Sequence, residues 1–261
     1  MGYRRTAEEI AAIRTTLSGV EFVGGESLSV DFLTHPGTVR AILPAELEPG
    51  DEPRLTAQVS RWRSNCVGDF AASAIYVSAR HGGVTGDYVL TMFMDSDMPL
   101  LFGRELYGEP KKLGSSTIHR NDGHMTGVLA RHGHELIRIE ADLGEDRGPR
   151  EVLGRNYNVK YDLAPDGSGL VGSPTLMRAE FAQRTTVLRT GPASLTLGGT
   201  VHDPLHELEI LEQRDAVYVE TGMRASCEVV GAMDAAEFFP LALGRSDYWP
   251  ALVSARLPTH S

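Results

Sequence analysis

Lysine is the scarcest charged residue of this sequence. Lysine and arginine together number 25, yet lysine stands only at Lys111, Lys112 and Lys160. Arginine pairs well with carboxylates, but its guanidinium stays protonated and cannot serve as an amine nucleophile. An adjacent pair of lysines in a chain that otherwise uses arginine therefore indicates amine chemistry. A solvated turn after Pro110 is the alternative, since most lysines are exposed.

Cysteine is nearly absent too, and long apolar runs are missing. Cys66 and Cys227 lie far apart in the sequence and form no Cys-x-x-Cys or other metal-ligand spacing, so we interpret them as buried thiols in a reducing compartment. No apolar run approaches the ~18 residues of a transmembrane helix. The N-terminal residues lack the apolar segment of a secretory signal. We therefore expect a cytoplasmic protein with a single domain over residues 1–261.

Positive charge is also in deficit, because the 35 acidic residues give a net charge of −10. Such a chain repels polyanions, which argues against nucleic acid and anionic membranes as partners. His202, Asp203 and His206 are close in the sequence, but Pro204 interrupts any regular helix there and no His-Glu-x-x-His motif is present. We expect no metal ion and no cofactor.

The hydrophobic pattern is mostly that of strands. Alternating or apolar runs predict strands at residues 28–32, 54–62, 71–79, 87–94, 179–189, 194–197, 207–211, 217–220 and 226–230. Asn121–Gly123 and His132–His134 are typical of hairpin turns. A capping box at Thr6–Glu9 begins a helix that ends near Ser18, and short helices are predicted at 36–43, 97–107 and 234–243. Many strands and few helices predict a β-rich α+β fold with antiparallel sheets.

The residues before the lysine pair favour a buried amine. Met92–Met94 and Met98–Phe102 supply apolar side chains that can wall a dry pocket, and Gly108–Pro110 forms a corner directly before Lys111. Imine formation needs a neutral amine, whereas a free lysine with a pKa of about 10.4 is protonated at neutral pH. Burial removes water from the ammonium and favours the neutral form. These neighbours indicate a nucleophile more than a solvated turn.

Three segments at fixed spacing also resemble the acetoacetate decarboxylase family. They are Val84–Tyr88, Gly103–Leu106 and Pro110–Gly114, with further similarity at Arg155–Tyr157 followed by Lys160. The resemblance extends over most of the chain. It implies a cone-shaped β-barrel with an internal cavity, a few peripheral helices and a homo-oligomeric assembly. It also implies that Lys111 forms an imine with the substrate and that Lys112 modulates it.

The two lysines are expected to have separate surroundings. If residues 110–113 are extended, adjacent side chains point to opposite faces. The charge of Lys112 would then have little effect on Lys111, and burial would be the main source of a neutral amine. We expect a carboxylate such as Glu105 or Glu109 to anchor Lys112. Lys112, Glu105 and Arg104 are accordingly interpreted as modulating or structural residues.

The sequence departs from the family where its decarboxylases use an arginine and a glutamate for the substrate carboxylate. Ungapped alignment through the neighbouring segments assigns Gly25 to the arginine position and Ala72 to the glutamate position. Neither residue can bind or repel a carboxylate. We therefore predict a lyase whose Lys111 forms an imine and enamine with a small 2-oxo acid such as pyruvate, for aldol addition to an aldehyde co-substrate and dehydration. Decarboxylation of a 3-oxo acid such as acetoacetate, and a non-catalytic small-molecule binding barrel, are the alternatives.

Four further residues are candidates for holding the carboxylate or moving protons. Glu109 and Tyr107 are chosen for their proximity in sequence to Lys111, and Arg63 and Tyr248 complete the set. For each of them a turn contact, a surface charge or a packed aromatic ring is the alternative interpretation.

Overall fold

The computed structural model describes residues 2–247, which form a small set of helices and many strands. The helices are α1 (Ala7–Leu17), α2 (Pro36–Ile42), α3 (Asp97–Phe102) and α4 (Ala235–Leu243), with a π-helical turn at Gly103–Tyr107 and a 3-10 turn at Leu205–Glu207. The strands are β1 (Val20–Leu33), β2 (Glu48–Pro49), β3 (Arg54–Ser64), β4 (Gly68–His81), β5 (Val84–Met94), β6 (Lys111–Leu113), β7 (Ser115–Asn121), β8 (His124–Arg131), β9 (His134–Asp142), β10 (Arg150–Lys160), β11 (Thr175–Gly191), β12 (Ala193–Leu197) and β13 (Glu212–Ala232). None of the described helices is long and apolar enough to cross a membrane.

Seven strands close into a barrel in the order β4, β3, β1, β13, β11, β10 and β5, with β5 paired back to β4. The β-rich barrel with few helices predicted from the sequence is confirmed. All of these pairs are antiparallel except β10 with β5, and β6 joins the outer edge of β5 in parallel as well. A parallel neighbour needs a crossover connection, which α3 and the π-helical turn supply between β5 and β6.

The main hydrophobic core lies outside the barrel wall. A second sheet, in the order β12, β9, β8 and β7, packs against the outside of the barrel. Leu28, Val59 and Ile75 of the barrel and Leu129 and Ile137 of the second sheet belong to one buried cluster. Because successive side chains of a strand point to opposite faces, the other face of each barrel strand turns inward. The interior is therefore free to be lined by side chains that serve a ligand.

Local signals in the sequence predict several elements correctly. α1 begins with the full capping box, in which Thr6 accepts from the Glu9 amide and Glu9 accepts from the Thr6 amide. The two predicted hairpin turns join β7 to β8 and β8 to β9. Each contains a residue with a left-handed backbone, Asp122 with φ 57° and His132 with φ 51°, as such tight turns require.

Near the C-terminal end, one strand prediction is wrong and two others belong to a single strand. No strand covers 207–211, because Leu205–Glu207 forms a 3-10 turn that buries Leu205 and Leu208 in the core. The predicted strands at 217–220 and 226–230 are parts of the single strand β13. Register shifts on both of its sides bend this long strand around the barrel, as β-bulges do, so no turn is needed between its halves.

The cysteines are less enclosed than expected. Cys66 and Cys227 are both free, and each is only partly buried, so the expectation of buried thiols is wrong. Burial, together with the charges of Glu109 and Glu228, raises the pKa of Cys227 to about 12. A thiol of that acidity carries almost no thiolate at neutral pH and is a poor nucleophile.

Candidate active site

The barrel encloses a cavity of about 230 Å³ to which all seven of its strands contribute. Its lining comprises Phe22, Ser27, Thr56, Gln58, Ser60, Trp62, Phe70, Ala72, Ser73, Ala74, Tyr76, Asp87, Met92, Met94, Glu109, Lys111, Gly154, Arg155, Asn156, Phe181, Gln183, Val219, Thr221 and Met223. The apolar wall predicted from Met92–Met94 is present through Met92 and Met94. Met98 and Leu101, by contrast, are largely exposed, so the second apolar segment contributes less than expected.

The cavity is polar at one end and aromatic at the other. The register of β3 and β4 defines the two ends. Thr56 lies opposite Tyr76 at the polar end, and Trp62 lies opposite Phe70 at the aromatic end. At the aromatic end, the ring of Phe22 contacts Trp62 edge-on, with centroids 5.6 Å apart. Trp62 and Phe70 also line a separate outer pocket of about 490 Å³, so these rings stand between the cavity and that pocket.

Lys111 reaches the cavity from β6, where it pairs with Met92 of β5. Its Nζ lies 2.7 Å from Oε2 of Glu109, and both side chains are only 8% exposed. Nζ also donates to the carbonyl of Pro99 at 3.0 Å. The sequence predicted Glu109 as a candidate from proximity alone, and the structure brings its carboxylate into direct contact with the amine.

A tight corner makes this contact possible. The π-helical turn ends at Gly108, whose left-handed φ of 69° is readily adopted by glycine. Gly103 begins the same turn, and a Cβ added there would lie 2.6 Å from Cε of Lys111 and closer still to Nζ and to Oε2 of Glu109. Both glycines are therefore needed to bring the backbone of the turn against the ion pair. π-helical turns are often found at functional sites.

Lys112 points to the opposite face of β6. Its Nζ lies 2.8 Å from Oδ1 of Asp203 and 3.2 Å from Oδ1 of Asp247, and it donates to the carbonyl of His202 at 2.9 Å. The expectation that Glu105 or Glu109 anchors Lys112 is therefore wrong. The alternation of side chains along an extended segment carries Lys112 away from both and toward the loop that contains Asp203.

Arg131 completes this buried network by pairing with the same two carboxylates, Asp203 and Asp247. Burial alone would raise the pKa of Asp247, but the hydrogen bond from Arg131 and the charge of Lys112 outweigh it and hold that pKa below its usual value. On the other side, Arg104 donates to the carbonyl of Lys111 at 3.1 Å. β6 is thus fixed from both sides, which restricts the position of the Lys111 backbone.

The remaining predicted residues that the structure describes lie outside the cavity. Tyr107 packs its ring on Phe102, with centroids 5.7 Å apart, and burial followed by nearby negative charge raises its pKa. Arg63 lines the outer pocket, and Glu105 is exposed to solvent. Tyr248 lies outside the described residues.

The two positions aligned with the glutamate and the arginine of the family's decarboxylases lie in different pockets. Ala72 lines the cavity, and Gly25 lines the outer pocket. Gly25 pairs with Trp62 across β1 and β3, and a Cβ at position 25 would lie 2.6 Å from the carbonyl of Arg61 and closer still to the Trp62 ring. The indole of Trp62 therefore occupies the space into which a side chain at position 25 would extend.

Gln58 and Tyr76 are cavity residues that the sequence did not single out. Tyr76 donates to Oε1 of Gln58 at 3.4 Å. Burial, then the charges of Glu109 and Asp87, raise the pKa of Tyr76 well above its usual value, so its hydroxyl remains protonated. The available signal was the polar face of β3, with Thr56, Gln58 and Ser60 at alternate positions, which is also typical of a strand facing solvent.

The fold and the site together define a class of protein, a closed β-barrel whose interior holds a buried lysine against a carboxylate. The acetoacetate decarboxylase family model matches residues 9–234. The chain therefore belongs to the acetoacetate decarboxylase family, as the resemblance of its motifs implied.

Relatives and solved structures extend this finding. An acetoacetate decarboxylase of Burkholderia vietnamiensis (strain G4 / LMG 22486) is 30% identical over 208 residues, covering 76% of this chain and 82% of that protein. The crystal structure of an acetoacetate decarboxylase from Legionella pneumophila has a TM-score of 0.73 at 22% identity, covering 82% of this chain and 88% of that one. The enduracididine biosynthesis enzyme MppR, complexed with the condensation product of pyruvate and imidazole 4-carboxaldehyde, has a TM-score of 0.70 at 18% identity, covering 81% and 88%. Both structures share the fold.

Proposed function

We propose that Lys111 forms an imine with a small 2-oxo acid such as pyruvate, and that the derived enamine adds to an aldehyde with loss of water. The observation that carries this proposal is the buried Nζ of Lys111 in a cavity of about 230 Å³, with the Glu109 carboxylate 2.7 Å away. Nucleophilic lysines are activated by desolvation in apolar pockets, and acetoacetate decarboxylase is a known example of such activation.

Glu109 is suited to move the protons that imine formation requires. It accepts a proton from the Lys111 ammonium, and the freed Nζ lone pair attacks the C2 carbonyl carbon. The carbinolamine hydroxyl then takes that proton and leaves as water, which gives a protonated imine and a carboxylate again. The 2.7 Å distance between Oε2 of Glu109 and Nζ of Lys111 is within the range expected of a general acid–base pair.

The protonated imine makes the neighbouring carbon acidic. Loss of a proton from C3 gives an enamine, whose C3 attacks the aldehyde carbon while the aldehyde oxygen gains a proton. Loss of that oxygen as water, with a second C3 proton, gives a conjugated imine. Hydrolysis releases the unsaturated 2-oxo acid and restores Lys111.

Ala72 and Gly25 favour this chemistry over decarboxylation. No carboxylate stands at position 72 and no guanidinium at position 25, so neither can act on the carboxylate of a 3-oxo acid. The name of MppR's bound product, a condensation product of pyruvate and an aldehyde, supports the same choice. Decarboxylation of a 3-oxo acid is the second candidate, because the curated relative at 30% identity is a decarboxylase.

Borohydride trapping tests imine formation sharply, because the chain has only three lysines. Incubation with pyruvate and borohydride, followed by peptide mass spectrometry, should add the reduced pyruvyl mass to Lys111 alone. Lys111→Arg should abolish the label, and Lys160→Arg, which changes an exposed lysine, should retain it. An unlabelled Lys111 with both pyruvate and acetoacetate would favour a non-catalytic binding barrel.

A second assay separates the two reactions. Pyruvate with an aromatic aldehyde should give a conjugated product with rising ultraviolet absorbance, and Lys111→Arg should prevent it. Rapid release of carbon dioxide from acetoacetate, without the conjugated product, would instead assign decarboxylation.

A further inference from the structure

The cations of the cavity are already engaged. Among the described residues that line it, Lys111 and Arg155 are the positively charged ones. Lys111 is paired with Glu109, and Nε of Arg155 lies 2.7 Å from Oε1 of Glu180. A 2-oxo acid bound at Lys111 therefore brings a carboxylate into a chamber whose guanidinium is held by another acid. The neutral hydrogen-bond donors that line the cavity are therefore a further means of binding it.

We propose that the amide nitrogen of Gln58 binds the carboxylate of the 2-oxo acid, in an orientation fixed by Tyr76. This assignment rests on the imine chemistry proposed for Lys111. It makes Gln58 a substrate-binding residue and Tyr76 a positioning residue, and it restricts the substrate to carbonyl compounds that carry a carboxylate beside the reacting carbon.

Strand register puts Gln58 in the same layer as the nucleophile. Gln58 lies opposite Ala74, Ala74 opposite Met92, and Met92 opposite Lys111, across four neighbouring strands. All four side chains line the cavity. Three strand spacings separate the two ends by roughly 14 Å along the curved wall. Between these two ends, Ala74 next to Gln58 has a short side chain, and Met92 next to Lys111 has a long apolar one.

Tyr76 determines which end of the Gln58 amide faces the cavity. Its hydroxyl keeps its proton and donates to Oε1 of Gln58 at 3.4 Å. The amide oxygen is thereby engaged, and within residues 2–247 Nε2 makes no hydrogen bond to the protein. An amide NH₂ group has two donor hydrogens, and a carboxylate accepts from such a group in a charge-assisted hydrogen bond.

Comparison of an acid with its ester tests the assignment. The half-saturation concentration for borohydride labelling of Lys111 should be measured with pyruvate and with methyl pyruvate, which has the same ketone without the charge. Gln58→Leu should raise the value for pyruvate by roughly tenfold or more, as expected for a lost hydrogen bond to a charged group. The value for the ester should change by less than about threefold.

Tyr76→Phe should also raise the half-saturation concentration for pyruvate, but by a smaller factor. This variant removes the hydrogen bond that orients the Gln58 amide and keeps the amide itself. Tyr157→Phe is the matched control, since it removes a tyrosine hydroxyl that donates to the Val84 carbonyl outside the cavity. Tyr157→Phe should leave the ratio of the half-saturation concentrations for pyruvate and methyl pyruvate unchanged.

The outcomes separate this inference from the proposed function. Equal losses for acid and ester in Gln58→Leu, or no loss for either, would overturn the role of Gln58 and leave the Lys111 imine intact. A wild-type protein in which neither compound labels Lys111 would overturn the proposed function itself, and the inference with it.

Discussion

Gly103 and Lys111 are in such close contact that only a hydrogen can stand at the Gly103 side-chain position. A Cβ there would lie 2.6 Å from Cε of Lys111 and nearer still to Nζ. Gly103→Ala should therefore displace the amine from Glu109 and reduce borohydride labelling of Lys111 by at least about tenfold. We expect a loss of unfolding free energy of about 1–3 kcal/mol, as for other overpacked sites.

The measurement is the extent of labelling at a fixed pyruvate concentration, alongside urea unfolding. Gly133→Ala is a suitable control, because it sits at a hairpin tip with φ 79° and a Cβ there would meet no atom within 4 Å. It should lower stability through backbone strain alone while leaving labelling unchanged. Full labelling in folded Gly103→Ala would show that the contact does not position the amine.

Glu109→Gln should separate imine formation from turnover. The amide keeps the shape of the side chain but cannot accept the ammonium proton or return it to the leaving hydroxyl. Loss of a general acid–base group typically costs 10²–10⁴-fold in rate, so kcat for the condensation should fall by about that factor. Trapping of Lys111 at long incubation should persist, because the carboxylate that stabilises the ammonium is gone.

Glu105→Gln is the matched control for this experiment. This variant makes the same glutamate-to-glutamine change at an exposed carboxylate in the nearby π-helical turn. It should leave kcat within about twofold of wild type. An equal fall in both variants would mean that Glu109 acts through the general charge of the segment.

Lys112→Met should leave most imine formation intact and weaken the fold. The side chain of Lys112 points away from the cavity, so Lys111 stays buried in the variant. Removing one partner of a buried ion pair typically costs 3–5 kcal/mol, and Arg131 still neutralises Asp203 and Asp247, so we expect about 3 kcal/mol from urea unfolding. Complete loss of labelling in a folded Lys112→Met protein would instead show that the second charge activates Lys111.

Lys111 could be selected from the sequence as the proposed nucleophile, because amine chemistry restricts the residue type. Amine catalysis requires lysine, and a chain with three lysines leaves few positions to consider. The local alternation at 110–113 also predicts opposite directions for Lys111 and Lys112. Both inferences depend only on residues that are neighbours in the chain.

The partners of Lys112 and the cavity role of Gln58 could not be predicted in this way. Asp203 is 91 residues from Lys112, and no local pattern pairs them. The alternation on β3 indicates a polar face, but only closure of the barrel through the pairing of β5 with β4 and β10 turns that face inward. Long-range strand pairing decides whether a polar face meets solvent or substrate.

Asp247 makes the fold sensitive to acid. Its pKa is lower in the folded protein than its ordinary value of about 3.9, because Arg131 and Lys112 stabilise the carboxylate against the effect of burial. Its contribution to stability is therefore complete above that ordinary value and is lost as the pH falls through the lower, folded-state pKa. Asp247→Asn should cost about 1–3 kcal/mol at pH 7, as for hydrogen bonds to a charged group.

Because the contribution disappears in acid, the difference in unfolding free energy between wild type and Asp247→Asn should shrink as the pH falls from 5 toward 3. Asp51→Asn is the control, since Asp51 is 85% exposed in a single surface ion pair with Arg80 and should change stability little at any pH. Urea unfolding at closely spaced pH values measures both curves. A wild-type-to-Asp247→Asn difference that stays constant down to pH 3 would show that the carboxylate charge does not stabilise β6, and that the amide replaces it in the network.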